Sequence, residues 1–184
     1  MLAFSFEAMV SFGKISRSRF TEDLVEKVAI FVDVQNIYYT TRDKYQANFD
    51  YNQFWYIATQ GRNVVEANAY AISSQDPKQR QFHHILRGIG FNVKLKPFIQ
   101  RRDGSSKGDW DVGIALDIYE VASQVDRVIL LSGDGDFEVL VQRVQQRFAT
   151  KVDVFAVPGL SAQSLIDACD NYIPIERDLL LRAV

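Results

Sequence analysis

A single cysteine, Cys169, leaves no partner for an intrachain disulfide and no basis for a zinc site built on several thiolates. That scarcity suits a reducing cytoplasm, the expected compartment. Charge of one sign is also missing: 21 Lys and Arg stand against 23 Asp and Glu, a net −2. The balance gives no overall signal for nucleic acid, so any basic footprint must be local. No apolar run approaches the ~20 residues that span a bilayer. The start, Met1-Leu2-Ala3-Phe4, reaches Glu7 before any basic residue, unlike a signal peptide, which opens basic and then turns apolar. Internal repeats and low-complexity segments are absent. There are two histidines, His83 and His84. They are adjacent and lack HExxH spacing, so a surface helix position is expected for them rather than metal ligation. What the chain does have is bulk: 47% hydrophobic residues, with 13 Phe, 8 Tyr and 2 Trp. Its 184 residues suit one domain with a real core.

Strand and helix patterns alternate along the chain. Val28–Val32 is a short, continuous apolar run ending at Asp33, as expected of a strand buried on both faces. Helices are expected over Asn36–Tyr45 and Tyr51–Thr59, with Gly61 as a stop, then a strand over Val64–Ile72. Pro77 opens a helix through about Arg87, ended by Gly88 and Gly90. Phe91–Lys96 is a third strand, closed by Pro97, and the polar, basic stretch 100–108 is a loop. From Trp110 the spacing is helical, with Val112, Ala115, Leu116, Tyr119 and Ala122 on one face. A fourth strand over Arg127–Leu131, a helix over Phe137–Phe148 and a fifth strand over Val152–Val157 follow. A helix over Ser161–Cys169 and a short sixth strand at Tyr172–Ile175 close the series. The expectation is a three-layer α/β/α sandwich with a mostly parallel sheet of about five strands and helices on both faces. Residues 1–27 read as an extension, with a helix near 20–26, and 28–184 as the domain.

Parallel α/β sheets place their sites beyond the carboxyl ends of the strands, where strand order reverses. The first strand ends in Asp33, followed by Gln35 and Asn36. The fourth ends in Ser132-Gly133-Asp134-Gly135-Asp136-Phe137, and the helix before it opens with Asp109-Trp110-Asp111. If the first and fourth strands are neighbours, four or five carboxylates share one crevice. Carboxylates that close resist joint ionisation, and a hard divalent cation removes the penalty. Two such ions can activate a water and stabilise the leaving oxygen of a phosphodiester. Arg101, Arg102 and Lys107, after Lys94 and Lys96, are placed to hold flanking phosphates. Helix capping competes as the role of Asp109, Asp111 and Asp136. Asp33 has no obvious helix end to cap. Asp117 reads as structural.

The chain resembles the NYN family, a branch of the PIN-like nuclease superfamily, and within it the LabA-like group of bacterial proteins. The resemblance rests on Phe31-Val32-Asp33-Val34-Gln35-Asn36-Ile37, on Lys107-Gly108-Asp109-Trp110-Asp111-Val112 with Leu116-Asp117, and on Leu131-Ser132-Gly133-Asp134-Gly135-Asp136-Phe137. These stand in the family's order and span roughly residues 28–175. It implies a PIN-like, Rossmann-like sheet with a five-strand parallel core. It also implies a ribonuclease dependent on Mg²⁺ or Mn²⁺, with Asp33, Asp111, Asp134 and Asp136 as metal ligands and catalytic residues. Asn36 would line the site, Ser132 would support it or touch phosphate, and Lys107 is the lysine of the family's Lys-Gly motif.

Other classes fit less well. A haloacid-dehalogenase-type phosphatase needs a second aspartate two residues after the first, where this chain has Gln35. A dinucleotide site needs glycines after the first strand, and none follow Asp33. A calcium loop starting at Asp134 would close on a glutamate where Gln145 stands. The competitor from another class is a regulatory module that binds RNA or protein without cutting. Single-stranded or structured RNA is the expected partner, and a homo-oligomer is compatible with the sequence. Trp110 is the leading candidate for stacking on a base, and Tyr38, Tyr39, Tyr45, Phe54 and Trp55 divide between stacking and core. Cys169 reads as a buried, inert thiol.

Overall fold

The computed structural model describes residues 25–97, 99–100, 106–107 and 109–181. Arg101 and Arg102 lie outside the described residues, as do the side chain of Lys107 and residues 20–24 of the expected N-terminal helix. Strand β1 (Lys27–Asp33) leads into helix α1 (Val34–Tyr45) with no intervening loop, and α2 (Tyr51–Thr59) follows. Then come β2 (Asn63–Ser73), α3 (Pro77–Ile89) and β3 (Asn92–Pro97). A short antiparallel pair, β4 (Ile99–Gln100) and β5 (Ser106–Lys107), lies within the stretch expected to be loop. Next are α4 (Asp111–Val121), β6 (Arg127–Leu131), α5 (Glu138–Phe148), β7 (Lys151–Ala156), α6 (Gln163–Ala168) and β8 (Asn171–Pro174).

The main sheet has six strands in the order β3-β2-β1-β6-β7-β8, every pair parallel. The expectation of about five strands is therefore exceeded by one, because β8 is a full partner of β7. Strand order reverses between β1 and β6, which opens a crevice beyond their carboxyl ends. Strand β1 shows why its run is continuously apolar. Val28, Ile30 and Val32 face one core, lined by Ile37, Phe54 and Leu86 of α1, α2 and α3. Ala29 and Phe31 face the other, lined by Ile114, Ile118 and Val141 of α4 and α5. Both faces are dry, so no polar alternation is needed.

At the opposite end of the sheet, Arg127 is bound by Glu26 at 2.8 Å and by Asp153, and Asp153 also accepts from Asn171 at 2.7 Å. Glu26 also pairs with Arg62 at 2.8 Å. These groups tie β1, β6, β7 and β8 together below the core.

Several expectations need correction. Helix α3 runs through Gly88 and stops at Gly90, whose φ of 132° suits glycine. His83 on that helix is buried against Phe82, while His84 is exposed. Burial and the neighbouring Arg87 hold the His83 imidazole below its ordinary pKa. On α4 the inward residues are Ile114, Ile118 and Val121, whereas Val112, Leu116 and Tyr119 are exposed. Cys169 is half-buried, with its thiol against the Ile166 carbonyl and its pKa raised by burial.

Candidate metal centre

Three separate elements deliver carboxylates to the crevice. Asp33 is the last residue of β1 and also the N-cap of α1, accepting from the Asn36 backbone N–H at 3.1 Å. The helix end that the sequence hides is thus immediately adjacent, because strand passes to helix without a loop. Asp111 is the first residue of α4, whose N-cap is Trp110, and the Asp109 side chain makes no capping bond. Asp134 and Asp136 lie in the loop after β6. Asp134, rather than Asp136, does the capping there, accepting from the Asp136 N–H at 3.0 Å.

One carboxylate oxygen from each of Asp111, Asp134 and Asp136 lies within 4.8 Å of the others. Asp33 stands beside this trio rather than within it. It is 8% exposed, and its pKa is pushed up to about 6, mainly by burial and then by repulsion from Asp111 and Asp134. Asp111 is raised by burial and then by Asp134, Asp109 and Asp136, with Lys96 opposing. Ion pairs among the described residues involve none of Asp33, Asp111, Asp134 and Asp136. Among the described residues no paired ammonium or guanidinium compensates the mutual repulsion.

The loop that carries Asp134 and Asp136 is clamped from two sides. The Asn36 side-chain oxygen accepts from Gly133 N–H at 3.0 Å, and the Gly133 carbonyl accepts from Ala162 N–H at 2.9 Å. Ser132 is fully buried and its hydroxyl accepts from Asp134 N–H at 3.2 Å. A Cβ on Gly133 would come within 3.1 Å of the Ser161 backbone, so glycine lets the two segments touch. Sequence reasoning identified Asn36 and Ser132 but missed the Ser161–Ala162 wall. Nothing in the local pattern links that wall to a loop nearly thirty residues upstream.

Of the expected nucleic-acid contacts, Trp110 is taken up by the fold. Its indole N–H donates to the Ala71 carbonyl at 2.9 Å, its ring meets Tyr70 edge to face, and the Lys96 ammonium lies 5.1 Å from its centroid. Asp117 is structural, as expected: it accepts from Tyr70 OH at 2.5 Å and Lys94 at 2.6 Å. Lys94 is therefore engaged, while Lys96 donates to the Asp109 carbonyl at 2.8 Å, beside the acidic trio. Phe54 is fully buried, Tyr45 and Trp55 pack on the core, and Tyr38 and Tyr39 are exposed.

The donor set suits a hard divalent cation. All three candidate ligand atoms are carboxylate oxygens within 4.8 Å of one another, and an octahedral Mg²⁺ with bonds of about 2.1 Å separates its ligand oxygens by roughly 3–4.2 Å, inside that limit.

Comparison with known proteins identifies the family and a structural relative. The family model described as NYN domain matches residues 27–176. The low amplitude and bright protein LabA of Synechococcus elongatus is 29% identical over 157 residues, covering 81% of this chain and 83% of that protein. The crystal structure of a protein of unknown function from Vibrio parahaemolyticus superposes with a TM-score of 0.83 at 67% identity, covering 86% of this chain and 98% of that one. Matched over most of its length, with Asp33, Asp111, Asp134 and Asp136 all inside the match, this chain belongs to the NYN domain family.

Proposed function

We propose that the protein is a ribonuclease dependent on Mg²⁺ or Mn²⁺. The observation that carries this reading is the trio Asp111, Asp134 and Asp136, drawn within 4.8 Å at the point where strand order reverses. Its membership of the NYN family, part of the PIN-like nuclease superfamily whose nucleases use divalent metals, supports it. In the proposal the trio holds the cation and Asp33 adds a fourth carboxylate from β1. A cation bound there would supply Lewis acidity at a phosphodiester and make a water more acidic. The chain's own groups do the rest. Asn36 and Ser132 fix the loop on which Asp134 and Asp136 stand. Lys96 sets positive charge beside Asp111, where a flanking phosphate would lie. Arg101, Arg102 and Lys107 are assigned to more distant phosphates from their charge and place in the sequence.

The purified chain should cleave RNA with Mn²⁺ and stop when the metal is chelated. Asp134→Asn should lower cleavage by at least about 100-fold while keeping the melting behaviour of the fold. Equal cleavage by the variant would overturn the reading. Tight RNA binding by the wild type with no products would favour the alternative, a binding-only regulatory module.

A further inference from the structure

Helix α1 leaves the acidic centre carrying two aromatic side chains that the core does not use. Its buried face is formed by Val34, Ile37 and Thr41. Tyr38 is 51% exposed and Tyr39 64%. By contrast Tyr45, the last residue of the helix, is partly buried and donates its hydroxyl to the Ile175 carbonyl at 2.8 Å. Leaving two large rings in water next to a site is informative where a single one would not be.

Their placement relates them to that site. Tyr39 follows Asn36 by one helical turn on the same face, a spacing that sets Cβ atoms about 5–6 Å apart. Asn36 is the residue whose side chain holds Gly133 N–H, directly before Asp134. Helical Cα–Cβ bonds tilt toward the N-terminus, so the Cα–Cβ bond of Tyr39 is directed toward the turn capped by Asp33. The two rings also brace each other, with centroids 5.4 Å apart and planes at 74°. In that edge-to-face arrangement each ring keeps at least one face that its neighbour does not cover. Contact with Tyr38 also reduces the freedom that a lone exposed ring would lose on binding.

We infer that Tyr39, braced by Tyr38, is a stacking platform for an unpaired nucleobase of the bound strand beside the acidic centre. A base within a duplex has both faces stacked on its neighbours, whereas an unpaired base offers a face to an aromatic ring. The platform also fills the role that Trp110 cannot, since that indole is held by Ala71, Tyr70 and Lys96. The inference rests on the nuclease reading for its substrate class, but it is tested by binding, independently of cleavage.

The experiment measures anisotropy of a labelled single-stranded RNA 12-mer, of the same strand with abasic sites, and of its duplex. All are bound to the full chain carrying Asp134→Asn with Mn²⁺ present. Adding Tyr39→Ala should weaken the base-bearing strand about tenfold and leave the abasic strand and duplex unchanged. Tyr39→Trp should restore binding. A Tyr39→Ala chain that binds the base-bearing strand as tightly as its parent does would overturn the platform. Weakening of the abasic strand by the same factor would do so as well. If the wild type shows the stacking pattern but releases no products, the nuclease reading fails and the platform stands. If it cleaves and Tyr39→Ala leaves its preference for single strands intact, the reverse holds. Absence of any nucleic-acid binding overturns both.

Discussion

Asp33 is under two opposing influences. The Asn36 N–H favours its carboxylate, while burial and the charges of Asp111 and Asp134 favour the protonated form, and the second set prevails, with a pKa near 6. A folded pKa above the ordinary 3.8 means that the metal-free fold binds this proton more tightly than the unfolded chain does. Stability therefore falls as pH rises from about 4 to about 6, by up to about 3 kcal/mol. Asparagine caps a helix as well as aspartate does, so Asp33→Asn should make the metal-free protein more stable than wild type at pH 7.5 and nearly equal at pH 4. Chemical denaturation at the two pH values checks this. A variant no more stable than wild type at pH 7.5 would contradict it. This residue also shows where local reading stopped. The acidic character of the site was legible in Asp33, Asp134 and Asp136. The cap on α1 was not, because strand runs into helix with no turn residues to mark the boundary.

At the scale of elements, the loop after β6 is the device that sets the site. It is held by Asn36 from α1 and by Ala162 from the segment after β7, and Gly133 permits the contact. Gly133→Ala should push Ser161 away, move Asp134 and Asp136, and weaken Mn²⁺ binding about 10-fold or more, with a smaller effect on stability. Calorimetric titration with Mn²⁺ and a thermal melt separate the two effects, and unchanged affinity would mean that the clamp does not position the carboxylates. Helix α4 gives the complementary lesson. Apolar residues cover most of its circumference, interrupted where Gly113, Asp117 and Glu120 fall, so spacing alone supported the wrong face, through Val112, Leu116 and Tyr119. The observed roll puts Ile114 and Ile118 against the sheet and brings Asp117 to Tyr70 and Lys94. Such cross-element polar bonds leave no periodic trace in a sequence.

At the scale of the molecule, the alternation of strand and helix made the parallel sheet legible, and the dry faces of β1 follow directly from its unbroken apolar run. The neighbouring of β1 and β6 stood only as a condition in the sequence. In the structure it brings Asp33 and the Asp134 loop to the same crevice. The short β8 extends the sheet because its register with β7 runs from Asn171 to Pro174. Among the described residues no helix is long and apolar enough to cross a membrane. The fold gathers Asp111, Asp134 and Asp136 at the reversal point of the sheet, and a divalent cation is the proposed means of neutralising them. Anomalous diffraction from a crystal soaked in Mn²⁺ tests that most directly. A peak is expected within about 2.5 Å of oxygens from Asp111, Asp134 and Asp136, a bonding distance for a hard divalent ion. A structure at saturating Mn²⁺ with no peak there, or with a lysine or arginine head lying among the three carboxylates, would contradict it.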